Sequence, residues 1–322
     1  MSADRAGAPP PTAELGRTGM QITRIGFGAW AVGGDWQSGW GPQDDRESVG
    51  AIERALELGI NWIDTAGVYG YGHSEEVVGR AIAGAGEKPL VFTKCGLIKD
   101  EAGQEMACLR RDSIRREAEA SLARLGVEKI DLYQIHWPMP EAEIEEGWAA
   151  LLELRDEGLV AHVGVSNFSV EQIRRVAGTG PVETLQPPYS LVAPSAGEEI
   201  LPFCEDEGIG VIVYSPMGSG LLAGWMTRER IASLPDTDWR KSAESFNEPE
   251  LSANLEIAAR VGRVAEAHGV PAGAVAVAWT LRNPAVDAAI VGFRSARQVE
   301  DLIIGAGLAL SDADAAYLGK DS

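Results

Sequence analysis

Cysteine is scarce in this chain: Cys95, Cys108 and Cys204 are three in 322 residues, with no C-x-x-C among them. An odd number so widely spaced excludes a disulfide framework and points to a reducing compartment, the cytoplasm. Histidine is equally sparse. His73, His136, His162 and His268 form no H-E-x-x-H and pair with no cysteine at ligand spacing, which disfavours a metal centre and a metal-dependent hydrolase. No apolar run approaches the roughly 18 residues of a membrane span. Positive charge is also short, 28 Lys and Arg against 48 Asp and Glu, giving a net charge of −20. So acidic a surface repels phosphate backbones and anionic lipid, and neither nucleic acid nor a membrane is an expected partner. The G-x-G-x-x-G fingerprint of an open dinucleotide-binding sheet is missing too. Gly26-Phe27-Gly28 and Gly70-Tyr71-Gly72 both lack the third glycine at the right offset.

What the chain does have is alternation. Runs rich in strand-forming residues occur at Ile25–Gly28, Ile60–Ile63, Leu90–Thr93, Leu132–Ile135, Ala161–Val165, Thr184–Gln186, Gly210–Tyr214 and Ala288–Val291. Stretches of helical period lie between them, such as Val49, Ile52 and Leu56, or Ile114, Ala118, Leu122 and Leu125. Another, through Ile144, Trp148, Leu151 and Leu152, stops at Gly158, and Ser169 with Gln172 has the form of a capping box. Strands alternating with helices predict a parallel sheet, and eight units predict an α/β fold of the closed (β/α)8 TIM barrel type, which takes about 250 residues. Residues 13–322 are then one domain, preceded by a loose tail at 1–12 that carries three consecutive prolines and no apolar signal segment. Ala13–Thr23 reads as an N-terminal β-hairpin turning at Arg17-Thr18-Gly19. The long stretch Ser215–Ala253 reads as a functional loop at the C-terminal face.

In a barrel, chemistry collects at the C-terminal ends of the strands. The runs there end in Asp64, Lys94, His136, Ser166-Asn167 and Tyr214-Ser215. A carboxylate and an ammonium on one rim are natural partners, since a buried charge needs one. Tyr69, five positions past Asp64, adds a phenol. An adjacent ammonium would lower its pKa and ease proton donation, with Asp64 holding the lysine and His136 polarising a carbonyl oxygen. Such a set suits protonation of a developing alkoxide. It contains no reductant, so a hydride would have to come from a cofactor.

From about Ala13 to Gly307 the sequence resembles the aldo-keto reductases. The segments that carry the likeness are Gly59-Ile60-Asn61-Trp62-Ile63-Asp64-Thr65-Ala66 leading to Tyr69-Gly70, Phe92-Thr93-Lys94, Gln134-Ile135-His136-Trp137-Pro138 and Gly164-Val165-Ser166-Asn167-Phe168. The resemblance implies a catalytic tetrad of Asp64, Tyr69, Lys94 and His136 with Tyr69 as general acid, and NADP(H) laid across the barrel mouth without a Rossmann fold. It places Ser166, Asn167 and Gln186 on the nicotinamide carboxamide, and Tyr214 on its ring. Ser215, Pro216, Met217, Gly218, Ser219, Gly220 and Leu221 would lie at the pyrophosphate, and Ala29 and Trp30 beside the cofactor. Gly292, Arg294, Gln298, Asp301 and Leu302 would form the adenosine site, where Asp301-Leu302 replaces the Glu-Asn of many relatives and Leu302 offers no amide to adenine. Ser295 is placed to cap a helix beside Arg294, whose guanidinium suits a ribose 2′-phosphate. Trp30, Trp36, Trp40, Tyr69, His136 and Trp137 are candidate walls of the substrate pocket. The expected function is NADPH-dependent reduction of a small aldehyde or ketone. The alternative is a non-turnover NADP(H)-binding subunit like those of potassium channels, which share the motifs. Nothing in the sequence fixes the oligomeric state.

Overall fold

In the computed structural model, which describes residues 9–100 and 102–319, eight parallel strands close into a barrel. Strands β1 (Thr12–Glu14) and β2 (Gln21–Thr23) form an antiparallel hairpin before it. The barrel begins with β3 (Ile25–Gly28), β4 (Trp62–Asp64) and β5 (Leu90–Cys95). A small hairpin of β6 (Leu97–Lys99) and β7 (Glu105–Ala107) interrupts, and β8 (Ile130–Ile135), β9 (Val160–Ser166), β10 (Thr184–Gln186), β11 (Gly210–Val213) and β12 (Ala288–Gly292) complete the circle. The first six barrel strands are followed in turn by α1 (Asp45–Glu57), α2 (His73–Ala83), α3 (Arg111–Leu125), α4 (Ile144–Asp156), α5 (Val170–Ala177) and α6 (Ile200–Glu207). After β11 come α7 (Arg228–Ala232), α8 (Glu250–His268) and α9 (Ala272–Thr280), and after β12 come α10 (Ala296–Leu302) and α11 (Asp312–Leu318). Among the described residues no helix is long and apolar enough to cross a membrane.

The period of two along a strand decides which residues face the barrel interior. Ile63, Val91, Tyr133, Val163, Leu185 and Val211 pack outward into the cluster shared with the helices. Trp62, Phe92, Leu132, Ile212 and Ala288 pack inward instead, forming a separate layer with Leu15 and Ile22 of the hairpin. The hairpin thus plugs the N-terminal end of the barrel, and Trp62 Nε1 donates to Thr23 O at 2.8 Å. Only glycine fits at Gly26, where a Cβ would fall 2.2 Å from the Trp62 ring. Full burial of each large side chain in this layer is worth on the order of 1.5–3 kcal/mol.

The helices start and stop for local reasons. Asp44 accepts from the backbone N–H groups of Arg46 and Glu47 at the start of α1. Ser169 and Gln172 make the expected capping box of α5, and Gly158 takes a left-handed φ of 81° just past α4.

Three details depart from the sequence expectations. Strand β4 begins at Trp62 rather than Ile60, because the Asn61 side chain is turned to the hairpin, accepting from Thr23 N and donating to Gln21 O. The β6–β7 hairpin was hidden in a polar, glycine-containing stretch. Part of the expected tail at 1–12 is ordered structure: Pro10 is buried, Pro11 O accepts from Arg24 N at 2.8 Å, and Thr12 pairs with Thr23. The rest of that segment, 1–8, lies outside the described residues.

Candidate active site

Two residues above the Trp62 layer, the same interior face carries the polar groups. Asp64 follows Trp62 on β4, Lys94 follows Phe92 on β5, and His136 lies just past the end of β8. Lys94 is buried, and its Nζ donates to Asp64 Oδ1 at 2.6 Å, Thr65 O at 2.9 Å and Tyr69 Oη at 3.2 Å. Asp64 Oδ2 accepts from Gln186 Nε2 at 2.9 Å. Tyr69 arrives on the loop between β4 and α2, where Gly70, Tyr71 and Gly72 take left-handed φ values of 60°, 56° and 101°. A Cβ on Gly70 would stand 2.2 Å from Gly33 O, so glycine is required for this loop to lie against the turn after β3. The Tyr69 ring meets His136 edge-on, with centroids 5.7 Å apart, and lies 5.9 Å from Trp36. The four residues that the sequence singled out therefore converge.

Burial governs their protonation. It raises the Asp64 carboxyl, while Lys94 and Gln186 pull it back. It works against the Lys94 ammonium, but Asp64 and Tyr69 more than reverse this, so the lysine is held charged above its ordinary value. Burial raises the Tyr69 phenol as well, and Lys94 offsets only part of that rise. The expectation that Lys94 brings the phenol below its usual pKa is thus corrected. Desolvation wins, and Tyr69 rests firmly protonated. Burial, seconded by the Lys94 charge, pushes His136 well below the usual imidazole range, leaving a neutral ring.

A cavity of about 960 Å³ opens beside this group. Trp30, Trp36, Trp40, Tyr69, His136 and Trp137 all line it. So do Ser166, Asn167, Gln186, Tyr214, Ser215, Pro216, Met217, Gly218, Ser219 and Gly220, and at its other end Gly292, Arg294, Gln298, Asp301 and Leu302. Within 215–220, four residues have left-handed φ values: Ser215, Gly218, Ser219 and Gly220. The polar side chains are organised among themselves. Tyr214 Oη donates to Asn167 Oδ1 at 2.8 Å, Asn167 Nδ2 to His136 O at 3.0 Å, and Ser166 Oγ to Gln186 O at 2.8 Å.

The model of the Aldo/keto reductase family matches residues 24–320. The chain belongs to this family. It is 37% identical over 299 residues to Aldo-keto reductase YhdN of Bacillus subtilis (strain 168), covering 92% of this chain and 89% of that protein. It is 32% identical over 318 residues to the NADH-specific methylglyoxal reductase of Escherichia coli (strain K12), covering 94% and 96%. Among solved structures, a glycerol dehydrogenase from Gluconobacter oxydans superposes with a TM-score of 0.87 at 37% identity, over 96% of this chain and 94% of that one.

Within this aldo/keto reductase, two of the cofactor residues expected from the sequence do not line the cavity. Ala29 is fully buried in the cluster between the strands and the helices, its carbonyl accepting from Ser74 Oγ. Leu221 turns into a separate cluster with Met226, Ile231, Phe246 and Leu251. Gln186, expected to reach the carboxamide, also gives an N–H to Asp64 from the opposite side of the barrel, four strands away, a link invisible in the sequence. The Arg294 guanidinium is also engaged, Nε with Gln43 Oε1 at 2.7 Å and Nη2 with Pro42 O at 2.9 Å. Sequence reasoning missed Tyr189, Trp225, Trp239 and Arg240, all of which line the cavity. Arg240 is buried against Asp238 at 2.6 Å and lies over Trp40 at 5.0 Å, while Trp239 meets Trp30 at 5.9 Å. The signal available was two tryptophans and an Asp-Trp-Arg run inside a long loop with no helical or strand period.

The residues present fit a nicotinamide dinucleotide. One continuous cavity joins a buried proton-donor cluster to a backbone-walled loop with left-handed residues, which suits phosphate, and then to an arginine.

Proposed function

We propose that this aldo/keto reductase reduces an aldehyde or ketone with NADPH, with Tyr69 as the proton donor. The reading rests on the buried Lys94 ammonium held between Asp64 and the Tyr69 hydroxyl, at 2.6 and 3.2 Å. When bound, the nicotinamide supplies a hydride to the carbonyl carbon. The chain's own residues handle the oxygen. As that oxygen gains charge, Tyr69 passes it a proton, and the negative charge left on the phenol oxygen faces Lys94 across 3.2 Å in a water-poor site. The ammonium thus acts where charge develops, which matters more than the resting pKa of the phenol. Neutral His136 can donate an N–H to the same oxygen. Asp64 orients Lys94, and Gln186 holds its second oxygen. Ser166 and Asn167 are proposed to bind the carboxamide, Tyr214 to stack on the ring, and 215–220 to receive the pyrophosphate.

Carbonyl-dependent oxidation of NADPH over a panel of aldehydes and ketones tests the proposal. Tight NADPH binding with no turnover on any of them would instead favour a cofactor-sensing subunit.

Because the Escherichia coli relative is named NADH-specific, preference for NADPH here rests on Arg294. Its contacts with Gln43 and Pro42 use Nε and Nη2 and leave further N–H groups for a phosphate. Arg294→Ala is expected to weaken NADPH binding by on the order of tenfold or more, through loss of charge-assisted bonds, and to leave NADH nearly untouched. Fluorescence titration with both cofactors reads this directly. Equal losses for the two would remove Arg294 from the phosphate site.

A further inference from the structure

Proton transfer as proposed requires Lys94 Nζ and Tyr69 Oη to stay 3.2 Å apart, yet they belong to different elements, β5 and the loop before α2. The proton-transfer chemistry makes no use of Glu75, a fully buried carboxylate in the first turn of α2. A carboxylate so placed must be tied, and its two oxygens are tied to different things. Oε1 accepts from Thr93 Oγ1 at 2.6 Å, and Thr93 immediately precedes Lys94 on β5. Oε2 accepts from Arg124 of α3, from Nε at 2.7 Å and Nη2 at 2.5 Å. Arg124 in turn lies against the tyrosine loop. A Cβ on Gly72 would stand 2.7 Å from Arg124 Cδ, and one on Gly67 would stand 3.3 Å from Nη2. Those two glycines bracket Tyr69.

We infer that Glu75 and Arg124 are a positioning pair for the proton donor: one carboxylate fastens the strand that carries Lys94 to the loop that carries Tyr69, and so sets the separation across which they act. The inference rests on the proposed role of Tyr69. A brace between α2 and α3 alone would need neither the bond to Thr93 nor the close seating of Arg124 on Gly67 and Gly72.

Thr93→Val, Glu75→Gln, Arg124→Lys and Arg124→Met, assayed beside the wild type and Tyr69→Phe, test it. Thr93→Val keeps the buried ion pair and is chosen because it should fold. Since a misplacement of about 1 Å can cost roughly a hundredfold in rate, Thr93→Val is expected to lower kcat about threefold or more and Glu75→Gln about thirtyfold. KM and cofactor Kd should stay within about twofold, and the limb of the kcat–pH profile that reports the proton donor should move. Arg124→Lys should keep more turnover than Arg124→Met. Unchanged kcat in folded Thr93→Val and Glu75→Gln, with Tyr69→Phe inactive, would overturn the positioning role alone. So would losses confined to Tm or KM with an unmoved pH profile. A Tyr69→Phe enzyme that still turned over would overturn the acid assignment and the positioning role together.

Discussion

Tyr69→Phe is expected to lower kcat by about a hundredfold to ten-thousandfold, the range that a positioned general acid contributes. The substitution removes one oxygen and little else. The ring that packs edge-on against His136 and beside Trp36 remains, so the loop keeps its seat. Lys94 loses one of three acceptors but keeps Asp64 Oδ1 and Thr65 O, and the buried charge stays paired. Cofactor Kd and Tm should therefore change little while turnover collapses. A loss confined to kcat and kcat/KM marks an interaction made in the transition state. Single-turnover measurement with saturating cofactor checks this, and retention of most wild-type turnover would sink the proton-donor assignment.

Lys94→Met is expected to abolish turnover and also to destabilise the fold, which separates it from the tyrosine variant. Without the ammonium, charge developing on the Tyr69 oxygen has no counter-ion, and the phenol loses the one influence that holds its pKa down. Asp64 is left buried with only Gln186 donating to it. Stranding such a carboxylate costs on the order of 3–5 kcal/mol. The sign of the pH dependence follows. In the variant, burial without the cation raises the folded-state pKa of Asp64 above its unfolded value. The carboxyl can then stay neutral in acid, and the penalty grows as pH rises through that raised pKa. The Tm deficit relative to wild type should accordingly be larger at pH 8 than at pH 5. A deficit independent of pH would mean that Asp64 is not the group left stranded, and normal carbonyl reduction between pH 6 and 8 would rule out the mechanism.

Much of this was legible in the sequence because the barrel translates position into place. Ends of apolar runs are rim positions, so Asp64, Lys94 and His136 could be brought together without knowing a single contact. The period of two then explains why Trp62 and Asp64, or Phe92 and Lys94, share a face. Interactions formed only by closure were not legible. Gln186 lies 122 residues from Asp64, and no local pattern links them. Glu75 and Arg124 sit on amphipathic helices where a charge reads as solvated, and the burial of the carboxylate between Arg124 of α3 and Thr93 of β5 arises only in the folded packing. The side of the cavity built from Trp225, Trp239 and Arg240 was hidden for another reason. Irregular backbone has no period, so the direction of its side chains cannot be inferred from spacing.

The small cluster of Leu221, Met226, Ile231, Phe246 and Leu251 gives that irregular segment a core of its own, apart from the barrel. Its stability is therefore partly independent of the strands that hold Asp64 and Lys94. The enzyme behaves like a tool with a fixed shank and an exchangeable jaw. On the proposed function, substitutions at Trp225 or Trp239 would reshape the cavity wall while leaving the contacts of Lys94 with Asp64 and Tyr69 in place.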